Sequence, residues 1–184
     1  MTLFEETVKW KILSFFFANS DKEFYVNELS RSTGVSSGSV SITCGSLLKE
    51  GLLKRIERGN LLFYKLNGDN PLVRKLKTTW FLERLLRLRK SWENEEFQSV
   101  ALYGSYASGE FVSKSDVDLL VITNVKEEVV FDAFRKIMEK NNREVSITVM
   151  PVSKWMKIAK ERDRFYTEVI SNHILLYGTS LVVG

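Results

Sequence analysis

Two aspartates separated by one residue, Asp116 and Asp118 in "SDVDLLVITN", interrupt an otherwise apolar run. Successive side chains of a strand point to opposite faces. Both carboxylates therefore share one face, and Val117, Leu119 and Val121 take the other. One strand-step puts about 7 Å between their Cα atoms, near enough to converge on one hard cation. Without a cation the two charges repel and perturb each other's ionisation. Asp-x-Asp alone fits a solvated strand entrance as well, so the upstream residues carry the weight. There "VALYGS" ends a second apolar run in Gly104-Ser105. Glycine lets a ligand approach the backbone closely, and Ser105 adds a hydroxyl and an amide. Backbone N–H groups at such a corner suit phosphate oxygens, more so where a helix starts. Ten residues lie between Ser105 and Asp116, room for one or two helical turns and a return. A phosphate cradle and a carboxylate pair would then be neighbours in one sheet. A P-loop is excluded, because no Gly-Lys-Ser/Thr follows a glycine at the required spacing.

Gly104-Ser105, a spacer and Asp116-Val117-Asp118 together resemble the signature of the polymerase-β-like nucleotidyltransferases, specifically their minimal nucleotidyltransferase domains. Both "GSYASGE" and "SDVDLLV" fit that family's local sequence, and the resemblance covers roughly residues 97–178. It implies that Gly104 and Ser105, with Ser115, bind a nucleoside triphosphate, ATP being favoured. It further implies that Asp116 and Asp118 bind Mg²⁺, in a site of two-metal type, with a third carboxylate on a nearby strand. In "REVSITVM", Val145, Ile147 and Val149 are expected to face the core, leaving Glu144, Ser146 and Thr148 opposite. Glu144 is the acid of that set and is the candidate, although some relatives carry an Asp aligned with Ser146. Asp116, Asp118 and Glu144 are thus the expected catalytic and metal-binding residues. The chemistry would be transfer of a nucleoside monophosphate to a hydroxyl. Members of the family often carry Arg or Lys where this chain has Ser108, so Lys114, Arg135 or Arg143 would have to substitute. A sensor that binds nucleotide without turnover is the competing expectation. Protein nucleotidylation, as by antitoxins of toxin–antitoxin pairs, extends the resemblance and makes a protein acceptor or toxin a candidate partner.

The positioning elements follow from periodicity, and the expected class is α/β (α+β). Residues 93–184 alternate strands and helices: strands at 97–104, 115–124, 143–150 and 173–178, helices at 126–141 and 153–172 with a break in the second. This is the expected nucleotidyltransferase fold with a small mixed sheet. Residues 1–69 read as helices over 3–19, 25–35 and 36–53, then two strands joined across Gly59-Asn60 as a hairpin. Their order resembles a winged helix–turn–helix domain. Between the two lies a basic segment, 70–92, opened by Asn70-Pro71 as a helix start. Its Phe81, Leu85, Leu88 and Trp92 fall at coiled-coil spacing, which fits either a homodimer seam or an amphipathic helix packed on its own chain.

Charge is unevenly divided. Residues 70–92 hold seven Lys+Arg against one acid, whereas 93–184 hold eleven against fourteen. A concentrated basic stretch suits a polyanion. The second helix of the winged unit offers Ser37, Ser39 and Ser41 rather than Arg, Lys, Asn or Gln, the usual readers of base edges. Cations gather instead on the hairpin, at Lys54, Arg55, Arg58 and Lys65, and along 70–92. The expected DNA contact is therefore with the phosphate backbone and sensitive to salt, with protein contact or dimerisation as the other use of such a unit. Cys44 is the lone cysteine and cannot form an internal disulfide, which suits a reducing cytosol. The lone His173 lacks the companions of a zinc site. The longest apolar runs are too short to span a bilayer and no basic-then-apolar leader opens the chain, so a cytoplasmic protein without membrane contact is expected.

Overall fold

Helix α1 (Val8–Ala18) starts where the Thr7 side chain accepts a hydrogen bond from the Trp10 N–H. The computed structural model describes residues 7–93, 96–140 and 144–183; residues 3–6 of the expected first helix lie outside them. The chain divides into two units, 1–80 and 81–184.

In the first unit α1 is followed by β1 (Glu23–Tyr25), α2 (Val26–Thr33), α3 (Ser37–Lys49), β2 (Leu53–Arg58) and β3 (Leu61–Leu66). Gly34, at φ +67°, lets the chain turn out of α2, and Ser36 caps α3 by accepting from the Ser39 N–H at 3.3 Å. On α3, Val40, Cys44 and Leu47 recur at helical spacing and are buried against Ile12, Phe16 and Leu29. Burial pushes the Cys44 thiol up to about 11. The three strands pair antiparallel in the order β1-β3-β2. Helix, strand, two helices and a hairpin is the winged helix–turn–helix order that the sequence anticipates. Strand β1 is the one addition to that expectation.

Helix α4 (Pro71–Leu86) contributes residues 71–80 to the first unit and 81–86 to the second. The expected boundaries at 69/70 and 92/93 thus fall on either side of one division inside α4. The coiled-coil spacing is used within the chain. Phe81, Leu85 and Trp92 are buried; Phe81 lies 4.3 Å from the Tyr106 ring centroid, and Trp92 stacks on Phe134 at 5.7 Å. These residues are core, not an exposed dimer seam.

After a turn of 3-10 helix at Arg89–Ser91, the second unit continues through β4 (Phe97–Tyr103), α5 (Gly104–Ser108), β5 (Val117–Thr123), α6 (Glu127–Lys140), β6 (Val145–Met150), α7 (Val152–Lys160), α8 (Arg164–Ser171) and β7 (Ile174–Gly178). The sheet order is β6-β5-β4-β7, with β5 and β6 parallel and the other pairs antiparallel. This is the expected small mixed sheet. Leu120 and Ile122 of β5 pack with Ala101, Met150 and with Trp155, Ala159, Tyr166 and Val169 of α7 and α8. By strand alternation Asp118 shares that face. Val130, Phe134 and Ile137 form the buried stripe of α6.

Candidate active site

Strands β4 and β5 run antiparallel with Tyr103 opposite Asp118, and β6 places Ser146 beside Asp118 in parallel register. The chain leaves β4 at Gly104 and returns at Val117, so the Gly-Ser corner and the aspartate are brought together as the spacing predicts. Gly104 adopts φ +67°, and a Cβ there would sit 2.6 Å from Asp118 Oδ2. No real Cβ tolerates such a contact, and L side chains disfavour that φ. Glycine is favoured by conformation, and a side chain there would also displace the Asp118 carboxylate. Asp116 departs slightly from expectation. It lies exposed one residue ahead of β5, so the strand ladder holds Asp118 alone.

Among the described residues no ion pair is formed by Asp116 or Asp118. Asp118 is half-buried, and its carboxyl is held above the usual carboxylate range, first by burial, then by the charges of Asp116 and Glu168. Tyr103 is pushed upward as well, chiefly by burial. Its hydrogen bond with Thr148 Oγ1, 3.2 Å long, opposes the shift, and the charges of Asp118 and Glu168 add to it. Asp118, its ionised form disfavoured by burial and by the charge of Asp116, is a hard oxygen donor that a divalent cation would relieve. The glycine beside it leaves room where a side chain would fill the space. These residues fit Mg²⁺. Among the described residues no three His, Cys, Asp or Glu side chains group closely enough to hold a metal by themselves.

The remaining expected residues divide. The carbonyl of Ser105 accepts from the N–H groups of Glu110 and Phe111 at 2.9 and 3.2 Å and from the Ser108 hydroxyl at 3.1 Å, which closes the corner. Ser108, where the resemblance suggests a cation, is thus tied into the loop. The Ser115 hydroxyl accepts from the Val112 N–H at 2.9 Å and holds the turn ahead of Asp116. Glu144 is exposed, immediately before β6, and its carbonyl accepts from the Val117 N–H at 2.9 Å. Arg135 forms an ion pair with Asp132 on α6, Lys114 is exposed on the loop, and Arg143 lies outside the described residues. Glu168, which the sequence did not single out, is a further acid whose charge contributes to the shift of Asp118.

In the first unit Ser37 and Ser41 are exposed beside Ile42, while Ser39 is half-buried and its hydroxyl accepts from that of Ser36 at 2.9 Å. The hairpin cations are already paired: Lys54 with Asp69, Arg55 with Glu57 at 2.8 Å, and Arg58 with Glu23 at 3.0 Å. Arg31, absent from the expected set, lines an open polar pocket of about 400 Å³ with Tyr25, Asn27, Ser30 and Ser37. Its guanidinium donates to the Tyr25 hydroxyl at 2.9 Å. Among the described residues no helix is long and apolar enough to cross a membrane.

The family model described as "Nucleotidyltransferase domain" matches residues 81–176. The chain belongs to this family. The nucleotidyltransferase match begins where the second unit begins and takes in Gly104, Asp116, Asp118, Glu144 and Glu168. No curated protein matches the chain. Among solved structures, the chain is similar to the homodimeric winged helix-turn-helix DNA-binding domain of a possible ArsR-family regulator from Mycobacterium bovis. Identity there is 18%, covering 47% of this chain and 70% of that one, at a TM-score of 0.30. It is also similar to a toxin–antitoxin structure with AMP-PNP, at 17% identity, 53% and 73% coverage and a TM-score of 0.35. A third likeness is to a candidate nucleotidyltransferase from Sulfolobus solfataricus, at 21% identity, 58% and 80% coverage and a TM-score of 0.29. At such scores none of the three fixes the arrangement of this chain.

Proposed function

We propose that this nucleotidyltransferase moves a nucleoside monophosphate from a triphosphate, ATP first, to a hydroxyl, with Mg²⁺ held by Asp116 and Asp118. The observation that supports the reading is the close approach of the Asp118 carboxylate to Gly104, where a Cβ would sit 2.6 Å from Oδ2. It sets the backbone corner beside a carboxylate that a cation would relieve. Gly104 and Ser105 would face the triphosphate, and the turn closed by Ser115 would hold Asp116 toward it. When bound, the cation neutralises phosphate charge and favours loss of pyrophosphate. In the transfer, the acceptor oxygen forms a bond to the α-phosphorus while the bond from that phosphorus to the pyrophosphate oxygen breaks. The acceptor's proton goes to a base, for which Glu144 remains the proposed residue. With two carboxylates close together, the phosphates of the nucleotide and water would complete the ligand shell. A protein hydroxyl is the proposed acceptor, as the family resemblance suggests.

The winged unit is proposed to meet DNA through its backbone. Arg31 and the open pocket beside the start of α3 support this, whereas in the basic segment Lys77 is buried and Arg87 and Arg89 are paired with Glu83 and Glu93. The hairpin cations contribute less, because their own acids already neutralise them. The test of the transferase reading is labelling of protein by α-labelled ATP in the presence of Mg²⁺ and host lysate. Label should be lost with EDTA and with Asp118→Asn. Label independent of both would refute the site. One observation favours the sensor reading: Ser108, at the place where the family resemblance suggests a cation, has its hydroxyl spent on the loop. Mg²⁺-dependent ATP binding without any labelled product would support it.

A further inference from the structure

We propose that Tyr103 is the positioning residue of Asp118, its ring tied across β5 to Thr148 so that the carboxylate is held toward the Gly104 corner. The inference rests on the metal-dependent reading above. Tyr103 closes β4 directly opposite Asp118. Residues opposite each other in an antiparallel pair share a face, with Cβ atoms about 4.5–5.5 Å apart. The two side chains are therefore immediate neighbours. The tyrosine reaches further. Its hydroxyl forms a hydrogen bond of 3.2 Å with Thr148 Oγ1. Thr148 stands on β6 beside Leu120, and β5 lies between β6 and β4. The ring thus leaves the sheet level with Asp118 and ends level with Leu120, crossing β5 between those two side chains. Phe165 of α8 meets the ring edge-on, with centroids 5.9 Å apart, and limits its swing.

The consequence falls on the carboxylate. Its inward side, toward Leu120 and the packed layer of Trp155 and Tyr166, is closed by the Tyr103 ring. On the β4 side it approaches Gly104, where a Cβ would lie 2.6 Å from Oδ2. On the β6 side its neighbour is Ser146, a short and exposed side chain. The direction left open is outward, past Asp116, from which a nucleotide's cation would arrive. A ligating side chain holds an ion best when packing and bonds one step removed lock its rotamer. Tyr103 and Thr148 supply that lock. Their bond needs both hydroxyls, so loss of either frees the same ring and lets Asp118 turn inward, away from the cation.

The test uses the full chain and Mn²⁺ alone, with free Mn²⁺ read by its spin-resonance signal. Wild type is compared with Tyr103→Phe, Thr148→Val, the double variant and the control Tyr166→Phe. Tyr166 belongs to the same layer and its hydroxyl accepts from the Val183 N–H at 3.2 Å. The control therefore loses a tyrosine hydrogen bond that does not involve the wall beside Asp118. Thermal midpoints confirm that each variant is folded. The expected result is about tenfold weaker Mn²⁺ binding in each single variant, the scale of a lost support behind a metal ligand. The double variant should lose no more than either single one, because both remove one shared bond. Tyr166→Phe should bind as wild type. Wild-type affinity in either Tyr103→Phe or Thr148→Val would overturn the role of Tyr103 and leave the aspartate site standing. Losses that add in the double variant would overturn it too, since the hydroxyls would then act separately. An equal loss in Tyr166→Phe would also overturn it, by reducing the effect to a general loosening of the layer. Failure of wild type to bind Mn²⁺, with or without ATP, would remove the metal reading and this inference with it.

Discussion

Replacing Gly104 by alanine separates two costs that the structure superimposes. The backbone at Gly104 sits at φ +67°, a conformation that costs an L residue about 1–2 kcal/mol. The added Cβ would also lie 2.6 Å from Asp118 Oδ2. That atom is the free end of a side chain, so the collision is relieved by rotating the carboxylate away. Relief of this kind adds little to the folding cost but displaces the proposed metal ligand. Gly34 provides the matched control: its φ is also +67°, and a Cβ there meets nothing within 4 Å. Both Gly34→Ala and Gly104→Ala should therefore lose about 1–2 kcal/mol of stability by chemical denaturation. Calorimetric titration of ATP with Mg²⁺ should distinguish them. Gly34→Ala should bind as wild type, whereas Gly104→Ala should bind at least about tenfold more weakly, the scale on which a disturbed metal shell loses affinity. Equal nucleotide affinity in the two variants would refute the claim that the Gly104–Asp118 contact belongs to the site.

Asp118 should make the metal-free protein lose stability as pH rises. Its folded pKa is raised, so the stabilising contribution is present below the ordinary carboxylate pKa and is lost as pH climbs through the folded value. Thermal midpoints from pH 4 to 7 in EDTA should fall less steeply for Asp118→Asn than for wild type, and an identical slope would contradict the assignment. On DNA, Arg31→Gln should weaken binding to all sequences alike and reduce the salt slope by about 1. The combined change Lys54→Gln, Arg55→Gln and Arg58→Gln should do less per cation, because those charges are already paired; filter binding across salt concentrations measures both. Cys44, buried and with its thiol at about 11, should resist thiol-specific reagents at pH 8 until denaturant unfolds the first unit. Fast modification of the native protein would count against its burial.

The pairing of Gly104 with Asp118 was legible because strand alternation and a short return loop leave few ways to join them. The Gly59-Asn60 hairpin and the Val40, Cys44, Leu47 stripe were legible for the same reason, since each is a local period. What was not legible depends on register between distant segments. Glu168 lies fifty residues beyond Asp118, and nothing in its own stretch says which strand end α8 will cover. Strand β1 is three residues long, too short to display alternation, and it forms because β3 offers it an edge. The pairing of Arg58 with Glu23 could not be foreseen until β1 had a place. Phe81, Leu85 and Trp92 illustrate a different ambiguity, because spacing suited to a partner helix is equally suited to a helix buried in its own unit.

Asp118 stands on β5, a strand with neighbours on both sides, where an unneutralised acid works against folding. Neutral replacements at this position should be tolerated by the fold and even favoured by it. Mutational drift would therefore push lineages toward losing the acid, with no penalty from misfolding to purge the loss. A chain that still carries aspartate there, at a glycine that has made room for it, is one in which something other than stability has kept it. Descendants released from that demand should first reveal themselves by Asn, Ser or Ala at 118, and only later by a side chain at 104.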